Sequence, residues 1–499
     1  MKIKRLKRIL YIVLGVSAGL PALIYLMLNL PFVQRRIVDY ATEQLQKKLQ
    51  TEVSIKSMGI DFPLGVSFND IYLADRKKDS LLFASCVSAG LDLLPMLHGN
   101  LVFSSVQLSD FKLYIKRDHP KDILNLQFVI DAFKKENPDK KPSRFDLRFN
   151  SVYLDGGRVT YDVTSESKTP GRFNAAHIDV GNLSGIASVK KISNDSLNID
   201  LRKFACKEKS GLTIKELNFK MIANSDSIKL NQLFMNMPNT TLKSECMTVD
   251  FHAAEDSSGT MKNAMFNIEL SPSEITLKDF SSFVPAFQNF TWKLALSSRF
   301  RGTFNDFSME YLSLQSGNDL QLKADMHVKD ITHADSAFFD GKVSQLYVSS
   351  GKLADIVGGF SNGNVPSPLL RLGNIRFNGE VVGFLNNLTA SGDFATSLGN
   401  FSTDLKIGQN HGWRTFKGGI KTDKFHLGTL LNNEQTAGDI AFAFDVDVKT
   451  KSNTLPSGLL KGVISEVTVK NYTYRNIELD GNFSTTAFNG KISLNDPNG

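Results

Sequence analysis

The sequence predicts a mainly β protein: a single N-terminal transmembrane helix, then many amphipathic strands with a few short helical inserts. Three observations predict this fold class. One uncharged apolar run stands near the N-terminus, period-two alternation dominates the remainder of the chain, and no long amphipathic helices are left to cover those strands. At 499 residues the chain exceeds a usual domain. Serial β-architectures reach such lengths because each strand packs only on its neighbours.

Residues 1–8 read as a basic cytoplasmic tail. The net charge is +7, and Lys2, Lys4, Arg5, Lys7 and Arg8 carry most of it. The remainder is close to neutral and has no basic stripe interleaved with aromatics, which excludes nucleic acid as a partner. Residues 9–30 read as the membrane anchor. Ile9 to Leu28 (ILYIVLGVSAGLPALIYLML) carries no charge, and ~20 residues at ~1.5 Å each span the ~30 Å hydrocarbon layer. Ile9, Leu14, Leu20, Ile24 and Leu28 represent its apolar surface. A cleavable signal peptide would have a shorter core ending in a small-x-small site. Here Leu23, Ile24, Leu26, Met27 and Leu28 extend the run instead. The basic tail orients the N-terminus to the cytoplasm, with the bulk of the chain on the far side.

Residues 31–50 predict an amphipathic helix, since Val33, Ile37, Ala41, Leu45 and Leu49 recur on one face. It is expected to lie on the membrane surface or to plug the first strands. From residue 52 the period becomes two. A first β region covers 52–133, a polar loop (KKENPDKKPS) 134–143, and a repetitive β region 144–499. Phe111, Leu113 and Ile115 alternate with Lys112 and Lys116. Val159, Tyr161 and Val163 follow Asp155-Gly156-Gly157-Arg158, which predicts a hairpin turn. Leu320, Leu322, Ala324, Met326 and Val328 share one face. Ile440, Phe442, Phe444, Val446 and Val448 share another, opposite Ala441, Ala443, Asp445 and Asp447.

Where the alternation slips, as between Leu230 and Leu233, a β-bulge is expected, and bulges curve a sheet. Phe280–Phe287, Leu353–Phe360 and Phe425–Leu431 predict short helical inserts, each opening a new set of strands. Two sets open alike, with RGTFNDF (Arg301–Phe307) and NGEVVGF (Asn378–Phe384). The closing LNDPNG (Leu494–Gly499) has a turn signature, and the chain is expected to be the first part of a longer protein.

No catalytic, metal or cofactor motif stands out. The closest histidines, His327 and His333, would lie ~20 Å apart along a strand, too far for one ion. Cys86, Cys206 and Cys246 have no ligand spacing and are expected to be half-buried in strands. The sequence therefore predicts a non-enzyme with no cofactor and no metal.

The opening of the chain resembles a known family. An anchor and amphipathic helix lead into VSIKSMGIDFPLGVSFNDIYLAD (Val53–Asp75). LLFASCVSAGLDLLPMLHGNLVFSSVQLSDFKLYIKRD (Leu81–Asp118) comes next, with the L-x-G-x-L step at Leu97–Leu101 and an L-x-D-F-x-L phrase at Leu108–Leu113. This is similar to the AsmA-like superfamily and, within it, the TamB family of inner-membrane subunits of translocation and assembly modules, in versions of a Bacteroidota type. The likeness is best over about the first 120 residues. It implies a single-pass inner-membrane protein with a periplasmic body. The body would be an elongated sheet curled like a taco shell, whose hydrophobic groove carries phospholipid toward the outer membrane and supports outer-membrane protein assembly. It also implies a BamA/TamA-type outer-membrane partner, reached through a C-terminal part that this chain lacks.

On that reading the groove would be lined by Phe111, Leu113, Ile115, Val159 and Tyr161, by Leu320, Leu322 and Met326, and by Ile440, Phe442, Phe444 and Val446. From the residues alone the same faces could instead form a dry sandwich core. A scaffold that binds nascent barrel proteins by strand addition is the alternative function.

Overall fold

Alternation becomes strand almost everywhere it was read. The computed structural model describes residues 25–61, 65–91, 101–133, 145–146, 151–193, 196–251, 264–303, 305–331, 336–360, 363, 365–384, 386–410, 412–451, 455–484 and 486–496. The chain is mainly β and divides into two compact units, Met1–Ile222 with Phe234–Pro238, and Ala223–Leu233 with Asn239–Gly499. The topology residues Lys2, Lys4, Arg5, Lys7 and Arg8 lie outside the described residues. So do the anchor up to residue 24, the loop 134–143 and the LLPML turn. Leu28 is helical, and among the described residues no helix is long and apolar enough to cross a membrane.

In the first unit, helix α1 (Pro31–Leu49) begins on a proline, whose missing N–H is no loss at that position. It stops at Gln50, which turns left-handed at φ 55°. The predicted face is the one turned inward, and Val38 and Leu49 on that side are buried. α1 packs on strand β1 (Val53–Asp61), and Gln46 Nε2 donates to the Val53 carbonyl at 2.8 Å. α1 thus covers the first strand.

β1 is followed by β2 (Gly65–Ala74), β3 (Ser80–Leu91) and β4 (Leu101–Arg117), each antiparallel to the last. The chain then crosses over through helix α2 (Gln127–Phe133). After a two-residue β5 (Phe145–Asp146), β6 (Ser151–Val163) lies parallel to β4, a pairing that requires such a crossover. β7 (His177–Ser193) and β8 (Ser196–Glu208) continue antiparallel. Leu49, Val53, Leu73, Leu81 and Phe128 make the core where the two helices meet the sheet.

The predicted hairpin at Asp155–Arg158 is not there: β6 runs straight through it. Gly156 takes φ 66°, but it serves a bulge, and the register with β7 shifts on both sides of Gly157. Asp70 in β2, Asp110 in β4, Asn182 in β7 and Lys203 in β8 also have positive φ, from 47° to 52°. The pairings Asn69–Cys86, Cys86–Ser109 and Ser109–Asp155 place the bulges of β2, β4 and β6 on one line across the sheet. Each bulge bends its strand, so aligned bulges crease the sheet.

The β2–β3 turn depends on one buried carboxylate. Asp75 is 2% exposed and accepts from the Lys77 and Asp79 amides, both at 2.9 Å, and from Asn125 Nδ2 at 3.2 Å. Asp75→Ala strands three donors, and a loss of about 2–3 kcal/mol is expected in urea denaturation of the full chain. A loss below ~0.5 kcal/mol would show that water replaces the carboxylate at no cost.

Strands β9 (Thr213–Ala223) and β10 (Ser227–Asn236) lie where the two units divide. Gln232 in β10 has φ 55°, a left-handed residue at the slip after Leu230. The second unit then runs as a meander in which each strand pairs antiparallel with the next. Its first strands are β11 (Thr241–Asp250), β12 (Met265–Thr276), β13 (Lys293–Thr303), β14 (Asp306–Ser316), β15 (Leu320–Lys329) and β16 (Phe338–Val348). β17 (Ile375–Phe384), β18 (Asn387–Thr396), β19 (Gly399–Asn410) and β20 (Trp413–His426) come after these. The last are β21 (Ala437–Lys451), β22 (Ser457–Val469), β23 (Tyr472–Phe483) and β24 (Phe488–Leu494).

All three expected inserts are present. Two 3-10 turns (Leu277–Phe280 and Pro285–Asn289) separate β12 from β13. Helices α3 (Ser350–Phe360) and α4 (Ser367–Arg371) separate β16 from β17, and α5 (Leu427–Leu431) separates β20 from β21. Alternate connections of a meander lie at the same edge. The inserts therefore share one long edge, four strands or roughly 19 Å apart.

The repeated phrases align differently from the sequence reading. Gly302 pairs with Phe307, and Gly383 with Leu388, each in the first hairpin after an insert. Their φ angles are 140° and 137°, and a Cβ on either would lie 2.3 Å from the carbonyl of Asp306 or Asn387. Gly383, not Gly379, is thus the counterpart of Gly302. The shared requirement is a close backbone approach, which a letter match alone does not locate.

The opposite faces of the strands are polar and laced with cross-strand ion pairs, including Lys417–Asp447 at 2.9 Å and Lys461–Asp480 at 3.1 Å. The bidentate Arg158–Asp179 pair, at 2.9 and 2.7 Å, joins β6 to β7. The Arg158 guanidinium donates to the Asp179 carboxylate and holds it below the usual carboxylate range. A carboxyl depressed in the folded state stabilises above its unfolded pKa, and that contribution fades as pH falls through the folded value. The stability gap between the parent chain and Asp179→Asn is accordingly expected to shrink as pH drops from 7 to 3. A gap constant over that range would assign the effect to packing.

Candidate functional site

The polar faces leave the other side of the second unit as a continuous apolar surface. Cross-strand registry builds it in rows. One row reads Leu346, Phe377, Phe394 and Phe401 on β16 to β19. On β20 to β24 the corresponding row reads Thr422, Phe442, Ile464, Ile477 and Leu494. The next row includes Gly379, Gly392, Thr403, Ile420, Phe444, Gly462 and Leu479. Rings meet along the rows, Phe377–Phe394 at 4.5 Å and Phe394–Phe401 at 4.9 Å, and between neighbouring rows, Phe442–Phe444 at 4.8 Å within β21. Glycines make room for them. A Cβ on Gly379 or Gly392 would fall within 3 Å of the Phe377 ring.

The inserts fold over one margin of this surface. Leu277, Leu353 and Ile356 pack on Ile275, Leu294, Leu320 and Val348, while Leu427 and Leu430 pack on Leu398, Phe425, Ile440 and Val467. Neighbouring inserts also touch. Phe290 and Phe360 lie 4.8 Å apart, Asn289 Nδ2 donates to the Gly359 carbonyl at 3.3 Å, and Arg371 Nη1 donates to the Leu430 carbonyl at 2.9 Å. Together they form a roof along the edge.

Away from the roof, cover depends on the strand. Over β15 to β17 the face is largely closed: Val328 is 0% exposed and Phe377 5%. From β18 onward it opens. Phe394, Leu405, Ile420, Phe442, Phe444 and Val446 are half-buried, and Ile492 is 59% exposed. The outcome is a trough, dry at the roofed margin and open at the other.

The residues read from the sequence fall in several environments. Phe442, Phe444 and Val446 lie in the open trough, Ile440 and Leu320 lie under the roof, and Leu322 and Met326 are half-buried between them. In the first unit, Phe111 is buried over Gly157, where a Cβ would come within 2.3 Å of its ring. Val159 packs on that cluster and Leu113 on the α1 cluster. Ile115 pairs with Tyr161, and Arg117 lies 5.3 Å over the Tyr161 ring. Sequence reading missed the roof contacts of Leu353, Ile356, Leu427 and Leu430, whose apolar spacing in the inserts was the available signal.

Cys86, Cys206 and Cys246 are half-buried thiols in separate strands, and burial raises the Cys206 thiol above its ordinary pKa. Among the described residues no group of His, Cys, Asp and Glu could hold a metal ion. His327 instead pairs with Asp306 at 2.5 Å and His426 with Asp439, each pair ordinary polar-face chemistry. What the arrangement offers chemically is apolar surface. No protein-family model, curated protein or solved structure matches the chain.

Proposed function

We propose that this chain is a non-enzymatic, inner-membrane-anchored periplasmic protein of the AsmA-like type, close to the TamB family. Its β-trough would hold phospholipid acyl chains on their way to the outer membrane and so support outer-membrane protein assembly. The observation that carries the reading is the open apolar trough over β18 to β24, whose aromatic rows have no protein partner on their exposed side among the described residues. An apolar surface of that extent calls for an occupant. Acyl chains gain ~0.8 kcal/mol per buried CH₂ while their head groups stay in water. Purification of the full chain in mild detergent, followed by lipid mass spectrometry, tests it. Phospholipid in stoichiometric amount is expected, and lipid at background level would remove the proposal.

A further inference from the structure

Helix α1 covers β1 with one face and leaves the other exposed. Phe32, Arg36, Tyr40, Glu43 and Lys47 recur at steps of four and three residues, so they share the outer face. All five are exposed, Phe32 at 67% and Tyr40 at 65%, while Val38 and Leu49 on the inner face are buried. Two aromatic rings therefore flank Arg36, each about one turn away. The charged side chains of α1 are Arg35, Arg36, Lys47 and Lys48 against Asp39 and Glu43, and Glu43 accepts from Lys47 at 2.5 Å. The helix is net positive, the sign that an anionic lipid surface attracts.

The rings continue an apolar surface that begins before α1. Leu26, Met27 and Leu30, all exposed, directly precede them. From Leu26 to Lys47 the exposed side chains thus grade from aliphatic to aromatic and then to basic. That is the order of environments met on leaving a hydrocarbon layer through its head groups. A break also gives α1 a direction of its own. The helical turn that includes Leu28 stops at Asn29 and Leu30, whose amides donate to the Tyr25 and Met27 carbonyls at 3.1 and 3.2 Å. Leu30 is extended at φ −70° and ψ 126°, as a residue before proline prefers, and α1 starts afresh at Pro31.

We propose that the outer face of α1 docks on the leaflet from which the anchor emerges. Phe32 and Tyr40 sit at the polar–apolar boundary, and Arg36 and Lys47 meet anionic head groups. This deepens the membrane-anchored reading above and rests on it. The anchor holds the face at the surface at high effective concentration, so a weak contact suffices. α1 is then a bracket, with β1 on one side and lipid on the other. The full chain is reconstituted in nanodiscs of phosphatidylcholine and phosphatidylglycerol in equal parts, the latter carrying a photoreactive diazirine on its head group. Labelled residues are then mapped by mass spectrometry.

Lys47 lies roughly 22 Å along the helix from Phe32, so an upright α1 would carry it out of the head-group layer. Label is expected on Phe32, Arg36, Tyr40 and Lys47 alike. Label confined to the first turn overturns the docking, while the anchor stands if the chain still floats with vesicles after a carbonate wash. A chain that the wash extracts overturns both. Crosslinks from α1 to a second copy in place of lipid overturn the choice of partner. The double variant Arg36→Glu with Tyr40→Glu changes only exposed side chains, and its circular dichroism should match that of the parent chain. Its label at Glu43–Lys47 is expected to fall at least about tenfold. Unchanged label there overturns the roles given to these two residues.

Discussion

Replacing Phe290 by alanine is expected to loosen the roof more than any other single change. Phe290 is 1% exposed and meets Phe287, Trp292 and Phe360 at centroid distances of 6.4, 6.0 and 4.8 Å. Its ring also occupies the space above Gly359, where a Cβ would lie 2.6 Å away. The ring thus joins the first insert to the second, and both to the sheet. Truncation of a buried Phe costs about 3–5 kcal/mol when the cavity cannot collapse. Here the walls belong to separate elements held by the sheet, which argues for the upper part of that range. Trp292 reports the change directly through its fluorescence in a urea titration. Hydrogen exchange over Pro285–Asn289 and Ser350–Phe360 should accelerate while exchange in β20 to β22 stays as it was. Equal acceleration everywhere would mean that Phe290 supports the whole sheet rather than the roof.

The largest effect on function is expected from Phe444→Asp. Phe444 stands in the open trough, stacked on Phe442 and flanked by Gly462 on the next strand. A carboxylate there must be desolvated whenever an acyl chain covers it, and an unpaired charge in an apolar setting is prohibitively costly. Because Phe444 is only half-buried, the fold itself should tolerate the change. Co-purified phospholipid is expected to fall at least about tenfold with far-ultraviolet circular dichroism unchanged. Asp445→Asn, its neighbour on the polar face, serves as the matched control and should retain lipid. Full lipid content in Phe444→Asp, with the fold intact, would place any occupant elsewhere.

Much of this fold was legible in single residues. Period two put Ile440, Phe442, Phe444 and Val446 on one face, because a strand gives its side chains no other choice. The inserts were legible because FSSFVPAF, LADIVGGF and FHLGTLL break that period. What was not legible depended on neighbours distant in sequence. Asp155-Gly156-Gly157-Arg158 has the letters of a hairpin, yet the parallel partner β4 and the antiparallel β7 hold β6 extended on both sides. Local turn propensity lost to two ladders. The difference between Ile440, shut under Leu427 and Leu430, and Phe444, open, also lies beyond any alternation pattern. It is fixed by how far α5 reaches over the sheet.

The position of the inserts has a topological consequence. Four strands is an even number, so the chain returns to the same edge, heading the same way, each time an insert appears. A block from one insert to the next can then be duplicated or excised without reversing any remaining strand or exchanging the two sides of the sheet. The length of the sheet is thereby quantised in steps of roughly 19 Å.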